Sequence, residues 1–223
     1  MRSENKPAFD FNHMPPRDLL MKSTVVYGFM IVVGLLVMWF GHETLSSALT
    51  WALPRPELLR FVVIGLIGAG LLQILSFFFE DWFPSYRELK SVVMRLLGPL
   101  SVPTAMYVSL MTALGEEIAF RGAIQPFAGL FITSFLFGLM HVGPGGLLSA
   151  WSLWAMIAGG LLGWMFDETK SLWPCIVAHF VVNFVSMMML RKQYRALLKG
   201  SPKGAPSALD QSKALENESD SRA

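Results

Sequence analysis

The 223-residue chain is 53% hydrophobic and only 15% charged, with a mean hydropathy of +0.49 and a formal net charge of +2 at pH 7. Soluble domains carry about 25% charged residues, so the deficit argues against an ordinary water-soluble globule and for a chain whose outer surface meets lipid. A lone cysteine, Cys175, excludes an intramolecular disulfide framework and a Cys-based zinc site; it reads as a small residue in apolar surroundings.

In chain order, residues 1–22 form a polar segment carrying Arg2, Lys6, Arg17 and Lys22. A spanning helix needs about 20 mostly apolar residues, and the first such stretch runs from Ser23 to Phe40. It exceeds the roughly 7–15 residues of a signal-peptide core, so it is expected to remain as a span even though Ser46-Ser47-Ala48 resembles a cleavage site. A second span is expected from Leu59 to Phe79, followed by a connection with Arg87, Lys90 and Arg95. Two more come from the Ser101–His141 segment, with a turn near Pro126 to Gly129. The fifth runs from Leu147 to Phe166 and the sixth from Leu172 to Leu190. The tail opens on Arg191, Lys192, Arg195 and Lys199. Beyond Leu198 it is rich in Ser, Pro, Gly, Lys and Glu and is expected to be disordered.

The expected fold class is therefore all-α, a polytopic transmembrane bundle of about six spans. It divides into an N-terminal segment (1–22), two spans with their loops (23–100), a helical core (101–190) and a basic, then disordered tail (191–223). Lys and Arg favour the cytoplasmic side of short loops. Only Arg55, Arg60 and Lys170 fall on the opposite side, which predicts cytoplasmic termini. Trp39, Trp51, Trp82, Trp164 and Trp173 sit near span ends as interfacial anchors. The small residues Ala155, Gly159 and Gly163, and likewise Gly65 and Ala69, form stripes that let helices approach closely.

Ionisable residues inside apolar sequence carry the functional information. They are Glu116, Glu117 and Arg121 in TALGEEIAFRGAI, His141 at the end of FITSFLFGLMH, and His179 with Asn183 in PCIVAHFVVNFVS. Each charge at a helix centre costs about 2.5–3.5 kcal/mol on insertion scales. Glu117 and Arg121 stand at i and i+4, so they share a helix face and can pair. Glu116 is rotated by about 100° from its neighbour. His179 and Asn183 share the i, i+4 separation, as do Phe137 and His141. At the helical rise, Glu116 lies roughly 14 Å and His141 roughly 20 Å from the expected turn, with His179 roughly 10 Å and Asn183 roughly 16 Å from the start of their helix. The polar groups can therefore meet at similar depth. His13 and His42 lie outside the spans and read as solvated.

A carboxylate in a water-poor cavity suits a general base that activates water, and peptide hydrolysis also needs an oxyanion donor and a proton for the leaving amine. Glu116, His141, His179 and Asn183 can supply these without a covalent intermediate; no GxSxG element marks a serine nucleophile. HExxH is absent, yet Glu116, His141 and His179 also make up a His₂Glu zinc set. A non-catalytic membrane factor and a transporter with a proton relay are the readings from other classes. The transporter would place polar residues in both halves of the chain, whereas here they follow residue 115.

Glu116-Glu117-Ile-Ala-Phe-Arg121 resembles the EExxxR motif of the CAAX protease and bacteriocin-processing (Abi) family. Phe137-Gly-Leu-Met-His141 is similar to its FxxxH motif, and His179-Phe-Val-Val-Asn183 to its HxxxN motif. The three occur in the family's order and cover about Met111 to Met187. The resemblance implies a membrane-embedded endopeptidase of the glutamic type. It implies that Glu116 activates water with help from His141, that His179 and Asn183 form the oxyanion site, and that Glu117, Arg121 and Phe137 support them. It further implies no cofactor, with zinc on Glu116, His141 and His179 as the alternative. The expected partners are a peptide or protein substrate at or in the bilayer, not nucleic acid, and the expected location is a bacterial inner membrane.

Overall fold

The computed structural model describes residues 16–41, 54–143 and 146–200. His13, His42, Trp51 and the tail beyond residue 200 lie outside the described residues. The helices are α1 (Pro16–Phe40), α2 (Arg55–Trp82), α3 (Pro84–Leu97), α4 (Val102–Glu117), a π-helical segment (Ile118–Ile124), α5 (Gln125–Met140), α6 (Ala150–Thr169) and α7 (Leu172–Gly200). Among the described residues no β-strand is present beyond one isolated bridge between Gly143 and Gly146.

Four helical runs are long and apolar enough to cross a bilayer: Arg17–Phe40, Arg55–Trp82, Val102–Met140 and Leu172–Lys199. The chain is an all-α integral membrane protein. Two features separate these four runs from the six expected spans. The 102–140 run is continuous by hydrogen bonding but reverses within itself. Gly129 adopts φ 76° and ψ 168°, a conformation that strains any residue with a Cβ. The reversal lies within the Pro126–Gly129 turn expected from sequence, and it brings Phe120 against Phe137 with ring centroids 5.0 Å apart. Helix α6 falls short because its last turn carries Asp167 and Glu168.

The outer surface is apolar where lipid would lie. Phe131 is 87% exposed, and Phe29, Phe127 and Met140 are nearly as open. Trp39, Trp82 and Trp164 are exposed near helix ends, as interfacial anchors require. Helix α3 was not expected from sequence. Leu89, Val93 and Leu97 recur every four residues and turn inward to line the central cavity, while Arg87, Glu88 and Arg95 stay on the outside. This two-faced pattern fits a helix lying along the membrane surface. Tyr86 anchors it, packing on Phe79 and Trp154 and sharing a 3.1 Å hydrogen bond with Ser76. Burial pushes the Tyr86 phenol above its usual pKa.

Small residues fix how the helices cross. A Cβ on Gly65 would meet Val177 at 2.7 Å and the Pro174 carbonyl at 2.8 Å, so α2 and α7 touch there backbone to backbone. Gly138 of α5 faces Met156 and the Ser152 carbonyl, and Gly159 of α6 faces Phe137 and Ser134, which makes α5 and α6 a tight antiparallel pair. Met38, Leu72, Leu162, Met165, Leu172 and Cys175 form the centre of the core. Cys175 is fully buried, and its thiol donates to the Leu162 carbonyl across 3.1 Å.

Candidate active site

Glu116 and Glu117 are the last residues of α4, and the π-helical segment begins immediately after them. Single π turns recur at functional sites because the wider turn re-aims side chains. Here the segment carries Arg121, which is fully buried together with Glu117. Arg121 Nη1 donates to Glu117 Oε1 across 3.2 Å, and its Nη2 donates to the Gly159 carbonyl across 3.1 Å. The guanidinium also lies 4.5 Å from the centre of the Phe137 ring, a cation–π arrangement. The bond to Gly159 explains the chemistry of the small-residue stripe: without side chains, α6 leaves its carbonyls open to donors from the neighbouring hairpin. Gln125 repeats the pattern one turn further on, donating across 2.9 Å to both the Gly163 carbonyl and Asp167 Oδ1.

Both histidines are oriented through Nδ1. His141 Nδ1 lies 2.7 Å from the Phe137 carbonyl. A carbonyl only accepts, so Nδ1 carries the proton there. His179 Nδ1 lies 2.6 Å from Glu117 Oε1 and donates to that carboxylate. Each ring is thereby turned so that Nε2 faces Glu116. The Oε2 of Glu116 stands 3.7 Å from His141 Nε2 and 3.8 Å from His179 Nε2, too far for a direct hydrogen bond. That oxygen is buried and has no hydrogen-bond partner. A water-sized group between these three atoms would satisfy all of them.

The three atoms open onto a cavity of about 420 Å³. Asn183 lines the same cavity, one helical turn beyond His179, but makes no hydrogen bond to another described residue. Glu116, His141 and His179 thus meet in one place, Glu117, Arg121 and Phe137 surround them, and Asn183 stands at the cavity wall with its amide free. The donor types of Glu116, His141 and His179 match a His₂Glu zinc set, but among the described residues no group of three His, Cys, Asp or Glu side chains is arranged to hold a metal ion.

Sequence reasoning missed one wall of the site. Tyr27 of α1 and Thr112 of α4 line the cavity beside Glu116. Thr112 precedes Glu116 by one turn and shares its face, a spacing visible in the sequence. Tyr27 is a polar residue in the middle of an apolar span, and that was its signal; which helix it would meet was not legible.

Residues 98–185 match the family model described as type II CAAX prenyl endopeptidase, Rce1-like. The chain is also similar to the uncharacterized protein YpbD of Bacillus subtilis (strain 168), 27% identical over 139 residues, which cover 61% of this chain and 72% of the relative. No solved structure matches significantly. The matched segment holds Glu116, Glu117, Arg121, Phe137, His141, His179 and Asn183, so over these residues the helical core of this chain is similar to Rce1-like type II CAAX prenyl endopeptidases.

Proposed function

We propose that this protein hydrolyses a peptide bond with water activated by Glu116, on a peptide or protein substrate presented at or in the bilayer. The observation that carries the reading is the unpartnered Glu116 Oε2 facing two imidazole nitrogens at 3.7 and 3.8 Å in the wall of a cavity.

A water molecule held there donates one hydrogen to Glu116 and the other to His141 Nε2, which is a free acceptor because Nδ1 is committed to the Phe137 carbonyl. Attack on the scissile carbonyl forms the new C–O bond and moves the water proton to Glu116. The carbonyl oxygen takes up the negative charge. His179 in its imidazolium form donates from Nε2 to that oxygen while Nδ1–H stays on Glu117, and the Asn183 amide supplies a second donor. Fixed donors of this kind are worth about 10²–10³ in rate each. Collapse breaks the C–N bond, and the proton on Glu116 passes to the leaving amine. With His179 charged, Glu116, Glu117, Arg121 and His179 sum to zero, as a buried cluster needs.

Substrate identity is assigned only by class. A prenylated C-terminal peptide is the first probe to assay, because the matched family carries that activity in its description; a leader peptide or a sorting tag has the same chemistry at the reacting bond. In this reading both termini face the cytoplasm of a bacterial cell, nucleic acid is not a partner, and no cofactor takes part. The test compares neo-N-termini in membranes of cells expressing the native protein or Glu116→Gln. Peptides present only with native protein, and trapped intact by the variant, support the reading. Identical sets of termini contradict it.

A further inference from the structure

The segment that matches the family begins at residue 98, yet the cavity wall next to Glu116 includes a side chain from far upstream. Tyr27 lies in α1, and its side chain lines the cavity beside Thr112 and Glu116. The contact is imposed by how α1 crosses α4 and the π-helical segment. On one side of Tyr27, Thr24 Oγ1 and the Tyr107 hydroxyl meet at 2.8 Å. On the other, Gly34 abuts Ile118 so closely that a Cβ would sit 2.8 Å from its side chain, and Met38 covers Gly122. Between these fixed points the Tyr27 side chain lies over Gly115, whose missing Cβ would stand 3.0 Å from Tyr27 Cβ and Cδ1. A larger residue at 115 would push the phenol away from its neighbour Glu116.

The geometry points to Tyr27 as a positioning residue for Glu116. The phenol O–H donates to the carboxylate and holds it in the rotamer that aims Oε2 at His141 and His179. A carboxylate flanked only by apolar walls would be free to swing out of that line into the 420 Å³ cavity. Thr112, one turn before Glu116 on the same helix, lines the cavity next to the phenol and bounds the space the hydroxyl can reach. The inference rests on the hydrolytic reading for its effect on rate, but not for the contact itself, so the two can fail separately.

The test uses the full chain reconstituted in lipid, as native protein, Tyr27→Phe, Tyr107→Phe and Glu116→Gln. Isotope-labelled glutamate in difference infrared spectra identifies the Glu116 carboxylate band as the one lost in Glu116→Gln. Tyr27→Phe removes a single hydroxyl and is expected to shift that band. On a quenched peptide probe that the native protein cleaves, it is expected to lower kcat about tenfold, the loss of one hydrogen bond to a charged group, with KM within about twofold. Tyr107→Phe breaks the neighbouring α1 contact and should leave band and kcat unchanged, which separates positioning from helix packing. An unmoved carboxylate band in Tyr27→Phe overturns the inference, as does a shifted band with native kcat. If native protein cleaves no probe, the hydrolytic reading fails, and the band alone decides the contact.

Discussion

His179 Nδ1 and Arg121 Nη1 converge on one atom: both donate to Glu117 Oε1, across 2.6 and 3.2 Å. The second glutamate of the pair is thus the joint between the α4 hairpin and α7. It fixes the ring that faces Glu116 and compensates a guanidinium that no solvent reaches.

Breaking that joint should cost stability first. In Arg121→Ala the buried Glu117 carboxylate loses its guanidinium and keeps only His179, the cluster is left with one uncompensated negative charge, and the Phe137 ring loses its partner. Removing one member of a buried ion pair costs about 3–5 kcal/mol. Unfolding in a lipid or detergent system should register a loss of that order. Arg121→Lys should recover only part of it, since one ammonium cannot reach both Glu117 and the Gly159 carbonyl in the guanidinium's planar fork. A loss below about 1 kcal/mol for Arg121→Ala, the range of exposed pairs, would contradict the buried pairing.

Asn183 should behave in the opposite way. Its side chain is half-buried and bonds no described residue, so Asn183→Ala should leave the unfolding midpoint nearly unchanged. As an oxyanion donor it should lower kcat about 10²–10³-fold with little change in KM. A variant that loses stability but keeps its kcat would assign Asn183 to packing instead.

Glycine substitutions test the crossings that carry the site. Gly65→Ala and Gly138→Ala place a Cβ against backbone carbonyls 2.8 and 2.7 Å away. Overpacking of this kind costs about 1–3 kcal/mol. Gly70 lies in the same helix as Gly65 with nothing within 4 Å of a built Cβ, so Gly70→Ala should be neutral or stabilising by up to about 1 kcal/mol through helix propensity. Equal effects at Gly65 and Gly70 in a thermal-unfolding series would show that α2 and α7 do not touch as described.

Much of this was legible in the sequence because lipid leaves so few explanations for a charge. The length of each apolar run marked the spanning helices, Pro126 to Gly129 marked the reversal, and the i, i+4 spacing placed Arg121 on Glu117. What the sequence did not show has physical reasons. A π turn differs from an α turn by one extra residue and leaves no compositional trace, so Ile118–Ile124 read as ordinary helix. Helix α3 read as a loop because its charges masked the Leu89, Val93, Leu97 stripe. The Ala155–Gly163 stripe was visible, but its use as a row of open carbonyls for Arg121 and Gln125 depends on which helix lies opposite. The same limit hid Tyr27, whose place beside Glu116 is set by helix crossing and not by any motif.

The central claim is that Glu116 activates the attacking water, and single-turnover cleavage by reconstituted Glu116→Gln tests it most directly. Gln preserves the size of the side chain and removes its basicity, so the fold should persist while the rate falls about 10²–10⁴-fold, the usual contribution of a general base. A folded Glu116→Gln protein that cleaves within about threefold of the native rate, a difference of under 1 kcal/mol in barrier, would contradict the account.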